Sequence, residues 1–583
     1  MNVCECDVLS ILKVQGYKNQ RALAEESGCS VGAVNNALKN LLLEGYIDKD
    51  YFLTDKANKE FNAKAPNSAV ILAAGYGMRM VPINVECPKA FVEVRGETLI
   101  ERQIKQLKEV GINKIYVVVG FMKEQFDYLI DKYGVELIVN TEYSTKNNLH
   151  SLRLAADKLG NSYIIPCDIW CEENPFSKNE LYSWYMLSDR KTPDSYVRVN
   201  RKNEPVMVSY EEGNTMIGIS YLLEDQSDSI KHLLKQFDQD AKYDNAFWEE
   251  TLFSEGRMTV KARVVSSEKA IEINTYEQLR EFDSDSKQLK TKTMTIASDA
   301  LGVKLTDIKN IEILKKGMTN RSFIFECNGS RYIMRIPGEG TDMLINRREE
   351  AMVYNTLKDK DICEEVLYIN PENGYKVTRF FENARVCDPE NREDVAKCMS
   401  FLREFHNTKM SVGHVFDIFE KIEFYESLWN GQPSAYRDYQ ETKEKVLSLK
   451  EYIEAEAEPY CLTHIDAVPD NFLFFKDQNG NEQIRLIDWE YSAMQDPHVD
   501  IAMFAIYAMY DEKHVEELID AYFEENCPKQ TRKKIYCYIA ACGLLWSNWC
   551  EYKRQLGVEF GEYSLAQYRY AKTYYKIAKD MQI

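Results

Sequence analysis

Two short apolar segments in the last third of the chain, each followed by polar residues, constrain its fold more than any other feature. Residues 462–471 carry His464, Asp466 and Asn471, and Asp488 follows the next apolar segment. A carboxylate such as Asp466 can orient or deprotonate an acceptor hydroxyl. An amide oxygen from Asn471 and a carboxylate from Asp488 can hold Mg²⁺ on the phosphates of ATP. With His464 bracing the loop, this order predicts phosphoryl transfer to a small molecule; the alternative is a set of loop-capping polar residues.

Residues from about 305 to 583 resemble the choline kinase and aminoglycoside phosphotransferase family, which has a protein-kinase-like fold of two lobes. Residues 317–323, which include Asn320, are similar to the turn that covers the nucleotide in that family. The resemblance also predicts a strand over residues 332–337, with a cation that contacts the nucleotide phosphates. That cation is Arg335 here, where many relatives have Lys, so the charge is kept and the donor geometry differs.

A charged stretch at residues 346–350 is predicted to open a helix. By resemblance to the family, one of its carboxylates pairs with Arg335. Glu350 is the first choice and Glu349 the second. The other interpretation of this stretch is a solvated helix face.

Aromatic residues late in the chain suggest the acceptor. Trp546, Trp549 and Tyr552 follow one another at three-residue spacing on a predicted helix. A quaternary ammonium offers no hydrogen bond, so aromatic faces recognise it best. Choline kinases resemble this chain in having such a Trp pair, which predicts choline as the substrate, although an aromatic stripe is also typical of a core. Glu490 and Asp496 could add negative charge near the ligand, although Asp496 and Asp500 could instead cap the next helix.

A second nucleotide motif lies far upstream, where a buried strand at 69–74 runs into a glycine-containing turn followed by Arg79 and Lys89. Backbone N–H groups of such a turn can bind phosphates, and the two cations can offset charge as pyrophosphate leaves. The motif resembles the nucleotidyltransferase family that joins nucleoside triphosphates to sugar phosphates or phosphocholine. The residues predicted to contact the nucleotide are Leu72, Ala73, Ala74, Gly75 and Gly77.

Strands and helices alternate over the following 200 residues, which predicts a Rossmann-like domain with a mixed, mostly parallel sheet. Asp168 ends an apolar strand, where ligands of such sheets collect, and is the predicted Mg²⁺ ligand. The family usually supplies a second Asp from a late strand, and the matching residue here is Asn274. Either Glu272 compensates as a metal ligand or the metal binds more weakly.

Two segments favour phosphocholine as the acceptor of the nucleotidyl group. Residues 145–152 resemble a segment of bacterial phosphocholine cytidylyltransferases, and residues 243–250 resemble their choline-facing segment; an amphipathic helix start with surface acids is the alternative. A choline kinase makes phosphocholine and a cytidylyltransferase consumes it, so the two resemblances predict consecutive steps that use choline, ATP, CTP and Mg²⁺. The residues assigned to this transferase site are Asn147, Asn148, Ser151, Trp248, Glu249 and Glu250.

Residues 1–62 are predicted to form a winged helix-turn-helix, with a helix, a glycine turn and a second helix before a small wing. They contain seven Lys or Arg and nine Asp or Glu, and the predicted reading helix offers only Lys39. This net negative charge makes nucleic acid an unlikely partner. If the chain does bind nucleic acid, this segment is the part that would do so. Dimerisation or an inherited, inactive module is the favoured role.

The predicted organisation is multi-domain α/β and α+β: a winged helix at 1–62, a nucleotidyltransferase domain at 66–283, a polar linker at 284–304 and a choline-kinase-like domain at 305–583. The net charge of −20 disfavours nucleic acid or anionic membrane as the main partner. The most apolar run, residues 535–546, is too short to span a bilayer and should be a buried helix. Fifteen scattered cysteines and no signal peptide predict reduced thiols in a cytoplasmic enzyme, with a homodimer possible.

Two other functions fit parts of the pattern. One is a sugar-phosphate nucleotidyltransferase fused to an aminoglycoside or other amino-alcohol kinase. The other is a transcriptional regulator whose catalytic domains serve as ligand sensors.

Overall fold

The computed structural model describes residues 1–209, 212–314, 320–338, 341, 344–477, 479–558 and 560–582. Residues 317–319 of the predicted nucleotide-covering turn lie outside these ranges. The chain divides into two compact units, residues 1–295 and 296–583.

The first 64 residues form the predicted winged helix. Asn2 and Glu5 cap the first helix reciprocally, and Asn19 and Ser30 cap the next two. Gly28 ends the second helix at φ 65°, where a side chain would be strained, and so allows the tight turn into the third. The wing is reduced to one antiparallel bridge between Ile47 and Leu53. The helices are α1 Val3–Gln15, α2 Gln20–Ser27, α3 Val31–Leu43 and α4 Asp55–Lys64.

The winged helix shares contacts with the domain that follows it. Leu181 belongs to the apolar core of the winged helix. The phenol of Tyr182 donates to Asp7 on α1 at 2.9 Å, and the ammonium of Lys64 donates to the carbonyl of Leu181 at 3.1 Å. The two domains of this unit are therefore joined by packing and by polar contacts.

A seven-stranded sheet in the order β14-β8-β11-β6-β1-β4-β5 forms the centre of the second domain, and four of its six pairings are parallel. This is the predicted mixed, mostly parallel sheet. Helices pack on both faces, because the central strands are apolar on both sides. The strands are β1 Ser68–Ala73, β2 Glu93–Val94, β3 Glu97–Thr98, β4 Ile115–Val119, β5 Glu136–Val139, β6 Ser162–Pro166, β7 Ile169–Cys171, β8 Trp184–Thr192, β9 Val197–Val199, β10 Pro205–Met207, β11 Gly213–Leu222, β12 Phe253–Ser254, β13 Arg257–Met258, β14 Lys261–Val265 and β15 Ala270–Glu272. The helices are α5 Leu99–Glu109, α6 Tyr128–Tyr133, α7 Asn148–Leu154, α8 Glu224–Phe237 and α9 Tyr276–Phe282.

The stretch predicted as a linker is structured. It contains a 3-10 turn at Lys287–Lys290 and the helix α10, Lys292–Leu301. Met294 and Ala297 of this helix are fully buried. Because most of the stretch is polar, this buried apolar pair was not predicted from the sequence.

The second unit has the kinase-like architecture. A five-stranded antiparallel sheet in the order β16-β17-β18-β20-β19 packs with one helix, α11, and the remainder is mainly helical. The strands are β16 Lys309–Ile313, β17 Asn320–Cys327, β18 Ser330–Pro337, β19 Val366–Ile369, β20 Lys376–Arg379, β21 Arg385–Val386, β22 Cys461–Thr463, β23 Phe472–Lys476, β24 Glu482–Leu486 and β25 Ala493–Gln495. The helices are α11 Arg347–Leu357, α12 Arg392–Asn407, α13 Ile418–Ser427, α14 Tyr439–Leu447, α15 Lys450–Ala455, α16 Val499–Tyr507, α17 Glu512–Phe523, α18 Lys529–Gln555 and α19 Glu562–Asp580.

The apolar run at 535–546 lies within α18, and all its residues are buried, as predicted. Across the described ranges, no helix combines the length and the apolar character needed to cross a bilayer.

Candidate active sites

In the second unit, the predicted site residues lie on two turns with unusual backbone conformations. The chain leaves β22 and turns at Ile465, which has φ 68°, and it leaves β24 and turns at Asp488, which has φ 67°. A non-glycine residue in this region is uncommon and costs about 1–3 kcal/mol. Surrounding contacts must therefore hold both turns in place.

Asp500, on α16, supplies those contacts for the first turn. Its Oδ1 accepts the backbone N–H of Ile465 at 2.7 Å. Its Oδ2 accepts the N–H of His464 at 3.0 Å and the imidazole Nε2 of His406 at 2.8 Å. The His464 ring in turn donates from Nε2 to the carbonyl of Ile487 at 3.0 Å, and burial lowers the pKa of this imidazole to about 4. A neutral His464 thus ties the first turn to the second.

Asp466 and Asn471 meet within the first turn. The amide nitrogen of Asn471 donates to the backbone oxygen of Asp466 at 2.9 Å and to its carboxylate at 3.3 Å. Its amide oxygen is therefore the atom left for a cation. Burial raises the pKa of Asp466 to about 7, and burial also raises the pKa of Asp488.

These oxygens suit a metal that reaches the site with a nucleotide. In the described part of the chain, no cluster of three or more His, Cys, Asp or Glu side chains could hold a metal ion by itself. Mg²⁺ commonly takes one or two protein oxygens and completes its shell with phosphates and water. Asn471 and Asp488, which line one cavity, match that requirement.

A buried ion-pair network connects the antiparallel sheet to the second turn. Arg335 donates from Nη2 to Glu350 and to the carbonyl of Gly374, each at 2.9 Å. The predicted pairing of Arg335 with Glu350 is thus confirmed for this structure. Glu349, the second choice, is only half-buried.

Glu490 is part of the same network. It accepts from Asn320 at 3.0 Å and from Arg347 at 3.2 Å, and Arg335 lies 3.6 Å away. The predicted role of Glu490 was to add negative charge for choline. Glu490 borders the cavity, but two arginines offset its charge. One of them, Arg347, lies in the charged stretch 346–350, but no role was predicted for it from the sequence.

A cavity of about 500 Å³ brings these residues together with an aromatic cluster. Trp546 and Trp549 line it, with ring centroids 5.5 Å apart and planes at 70°. Tyr552 packs partly buried against the apolar core instead, because each three-residue step turns a helix by about −60° and the third residue leaves the face. Three tyrosines that sequence reasoning missed also line the cavity: Tyr491, Tyr507 and Tyr563.

The first unit has its own cavity of about 400 Å³ at the carboxyl ends of β1 and β6. Gly77 has φ 58°, and a Cβ there would lie 3.0 Å from the Lys89 side chain, so glycine permits this close approach. Ala73, by contrast, is packed in the apolar core beneath the sheet. The predicted nucleotide contacts that line the cavity are Leu72, Ala74, Gly75 and Gly77.

Lys89 forms the centre of this site. Its ammonium pairs with Asp168 and donates to the amide oxygen of Asn274 at 2.6 Å. Arg79 donates to the same oxygen at 2.9 Å. Glu272 lies close to Asp168. Burial raises the pKa of Glu272, and the negative charge of Asp168 raises it further.

A divalent metal fits this donor set. One oxygen of Asp168, Oδ1, is buried and has no hydrogen-bond partner. An orphaned carboxylate oxygen in a polar cavity is a suitable ligand for a hard cation. Asn274 can add a neutral oxygen, and Glu272 is the second carboxylate close to the site.

Asn147 and Asn148 join two segments at the rim of this cavity. The Asn147 amide donates to the carbonyl of Asn245 at 3.1 Å, and Asn148 accepts the backbone N–H of Trp248 at 2.8 Å. Ser151 hydrogen-bonds to Asn140 at 3.0 Å. All three predicted residues line the cavity, where these bonds fix its edge.

The predicted choline-facing segment divides into buried and accessible parts. Trp248 is fully buried and packs 6.2 Å from Tyr185, so a ligand cannot reach its ring face in this structure. Glu249 accepts from the Tyr185 hydroxyl at 3.0 Å, while its second oxygen is buried without a partner. Burial raises the pKa of Glu249 to about 7. Glu250 is exposed. Sequence reasoning missed Tyr185, which comes from β8, far from the motif.

Family models match three parts of the chain: a winged helix-turn-helix DNA-binding model at residues 5–48, a MobA-like NTP transferase model at residues 69–211 and a choline/ethanolamine kinase model at residues 311–542. The three matched segments correspond to the winged helix, to the domain of the first unit that holds the nucleotide cavity, and to the kinase-like second unit.

Characterised relatives resemble each half. A choline-phosphate cytidylyltransferase of Streptococcus pneumoniae is 36% identical over 185 residues, which cover 31% of this chain and 81% of the relative. A 2-aminoethylphosphonate cytidylyltransferase of Lancefieldella rimae is 30% identical over 236 residues, 39% of this chain and 95% of the relative. The crystal structure of choline kinase LicA from Streptococcus pneumoniae has 28% identity and a TM-score of 0.43, and the match covers 49% of this chain and 100% of that one.

Proposed function

We propose that the chain catalyses two consecutive reactions, because its first half belongs to the bacterial cytidylyltransferase family and its second half matches the choline/ethanolamine kinase family model over residues 311–542. The second unit transfers the γ-phosphoryl group of ATP to choline. The first unit transfers CMP from CTP to the resulting phosphocholine and releases pyrophosphate.

The observation that carries the kinase proposal is that Asp466 and the Trp546/Trp549 pair line one cavity. An aromatic cage recognises a trimethylated nitrogen through cation–π contacts, each worth about 0.5–2 kcal/mol. A ligand held in this way would have its hydroxyl within the same cavity as Asp466. The geometry favours a small quaternary alcohol over an aminoglycoside, which would need many hydrogen-bond partners.

Asp466 takes the hydroxyl proton as the choline oxygen bonds to the γ-phosphorus, and the bond from that phosphorus to the bridging oxygen of ADP breaks. Arg335, fixed by Glu350, offers positive charge to the phosphates. Mg²⁺ held by Asn471 and Asp488 would neutralise phosphate charge when bound.

In the first unit, an oxygen of phosphocholine bonds to the α-phosphorus of CTP and the bond to pyrophosphate breaks. Lys89 and Arg79 stabilise the negative charge that develops on the departing group. Asp168, with Glu272 and Asn274, would hold the metal. Glu249 is the proposed counter-charge for the trimethylammonium group, because one of its buried oxygens has no partner.

The test is to supply the purified protein with choline, ATP, CTP and Mg²⁺ and to follow phosphocholine and CDP-choline separately. Asp466→Asn should abolish phosphocholine formation while leaving the CTP reaction with added phosphocholine. Asp168→Asn should do the reverse. Each variant therefore controls for the folding of the other unit.

Acceptor specificity is tested in parallel with ethanolamine, aminoglycosides, phosphoethanolamine and 2-aminoethylphosphonate. Turnover of an aminoglycoside without turnover of choline would overturn the kinase proposal. Faster cytidylyl transfer to 2-aminoethylphosphonate than to phosphocholine would overturn the transferase proposal.

A further inference from the structure

His150, on α7, lies between two carboxylates at the edge of the cavity in the first unit. Its Nδ1 is 2.6 Å from Asp238 and its Nε2 is 3.1 Å from Glu142. The side chain of His150 is only 9% exposed, while those of Asp238 and Glu142 are 21% and 49% exposed. The chain therefore presents an acceptor to each ring nitrogen.

Two acceptors require two N–H donors. A neutral imidazole has one N–H and one lone pair, so one of these contacts would then place a lone pair against a carboxylate. The doubly protonated ring satisfies both contacts with charge-assisted hydrogen bonds.

The charges around the ring are balanced by one more cation. Lys146 lies 3.4 Å from Glu142 and 4.0 Å from Asp238. Within the described ranges, no other charged side chain pairs with either carboxylate or with the ring. The cluster therefore consists of two anions and two cations when His150 is protonated.

The cluster joins the two segments that form the rim of the nucleotide cavity. Glu142 begins the loop 142–147, which lines the cavity from Tyr143 onwards. Asp238 follows α8 and precedes Asn245, which also lines the cavity. A hydrogen bond from the N–H of Asn147 to the carbonyl of residue 244, at 2.7 Å, joins the same two segments.

We propose that His150 is a positioning residue for CTP, whose imidazolium holds loop 142–147 against the segment that follows α8. This proposal rests on the proposed cytidylyltransferase function. Loss of the ring proton leaves one carboxylate facing a lone pair and releases one side of the rim. The bound nucleotide then meets a less ordered site and binds more weakly.

The test measures CTP binding by calorimetry, with Mg²⁺ and without phosphocholine, for wild type, His150→Gln and His150→Lys. Histidine changes charge in the range from about pH 5 to 8, whereas glutamine stays neutral and lysine stays charged. CTP itself gains a proton in this range, so the observable is the ratio of variant to wild-type dissociation constants at each pH.

For His150→Gln, the ratio should be about 10 at the acid end and should fall towards 1 at the alkaline end, as expected for loss of one charge-assisted hydrogen bond. His150→Lys should bind tightly throughout and rescue binding at the alkaline end. A ratio for His150→Gln that does not change with pH would reduce His150 to a packing role and overturn the proposal.

Failure of the underlying function would look different. If wild type bound no CTP at any pH, the cytidylyltransferase proposal itself would fall. Thermal unfolding of each variant at each pH checks that the first unit is folded.

Discussion

The carboxylate of Asp500 accepts the backbone N–H of Ile465 at 2.7 Å and so holds a non-glycine residue at φ 68°. The same carboxylate accepts the next N–H towards the N-terminus, that of His464. The turn that presents Asp466 thus depends on a side chain 35 residues away in the sequence.

Replacing Asp500 with Asn should slow the kinase. An amide can accept one of the two N–H groups through its oxygen, but its NH₂ group faces the other donor, and an unsatisfied buried group costs about 1–3 kcal/mol. We expect the kcat for phosphocholine formation to fall about 100-fold, with a smaller change in the KM for choline, because Asp466 is misplaced. Steady-state kinetics and thermal unfolding measure the two effects.

Asp496→Asn is the matched control. Asp496 is also a fully buried carboxylate, but it pairs with Lys534 rather than with the catalytic turn. It should lower stability and leave turnover per folded molecule near the wild-type value. Equal losses of kcat in both variants would show that only stability is affected.

The aromatic cage predicts selective weakening of choline binding. Trp546→Ala and Trp549→Ala should each raise the KM for choline about 3- to 30-fold, since each removes one aromatic face, and should leave the KM for ATP nearly unchanged. The loss should be smaller for ethanolamine than for choline, because a primary ammonium gains less from these faces. Initial rates with both substrates test this.

Tyr552→Ala serves as the comparison, since Tyr552 lies on the same helix but outside the cavity lining. Its KM for choline should stay at the wild-type value. A rise equal to that of the tryptophan variants would contradict the cage.

The metal site of the first unit should respond in opposite directions to two substitutions. Asn274→Asp adds a carboxylate to the donor set and should tighten binding of Mn²⁺ in the presence of CTP about 3- to 10-fold. Glu272→Gln removes one and should weaken it. Electron paramagnetic resonance of free Mn²⁺ gives both constants.

These measurements need an Asp488→Asn background, so that the kinase site contributes little to metal binding. If Asn274→Asp did not tighten binding, Lys89 rather than the metal would be the cation that the added carboxylate holds. Unchanged binding in Glu272→Gln would remove Glu272 from the ligand set.

The contact between the winged helix and the transferase predicts a pH-dependent stability. Burial raises the pKa of Asp7 to about 6, from 3.8. A carboxyl group with a raised pKa binds more protons when folded, so its contribution is complete below about pH 4 and is lost as the pH rises through about 6. Asp7→Asn stays neutral and should therefore be more stable than wild type at pH 7.5, by about 1–2 kcal/mol after allowance for solvent screening.

Urea unfolding of wild type and Asp7→Asn, at several pH values, gives this difference directly. It should shrink as the pH falls and vanish only below about pH 4, where the carboxyl is protonated in both the folded and the unfolded state. A difference of the opposite sign at pH 7.5 would mean that the charged form of Asp7 stabilises the contact.

Local sequence was sufficient where the chemistry requires residues at short, fixed spacing. Asp466, Asn471 and Asp488 belong to two short segments, and the glycine turn before Arg79 follows directly from its strand. The pairing of Arg335 with Glu350 was also predictable, because the resemblance assigned one residue to a strand and the other to the next helix.

Sequence spacing failed where the direction of a side chain decides its neighbours. Trp248 is part of the predicted choline-facing segment, yet it is packed in the core, while the adjacent Glu249 reaches Tyr185. Tyr552 continues the spacing of the tryptophans but rotates off their face.

The sequence by itself determined that this chain has a winged helix and a mostly parallel sheet, because periodicity and turn residues act over a few positions, and the resemblance of its motifs to known families implied the kinase-like domain and the nucleotide-binding role of the sheet. Only the tertiary structure decided which distant groups meet: Asp500 beneath the catalytic turn, His150 between two carboxylates, and Tyr491, Tyr507 and Tyr563 around the tryptophans. Such contacts depend on packing between elements, and no local spacing encodes the distance between side chains that lie on different helices and loops.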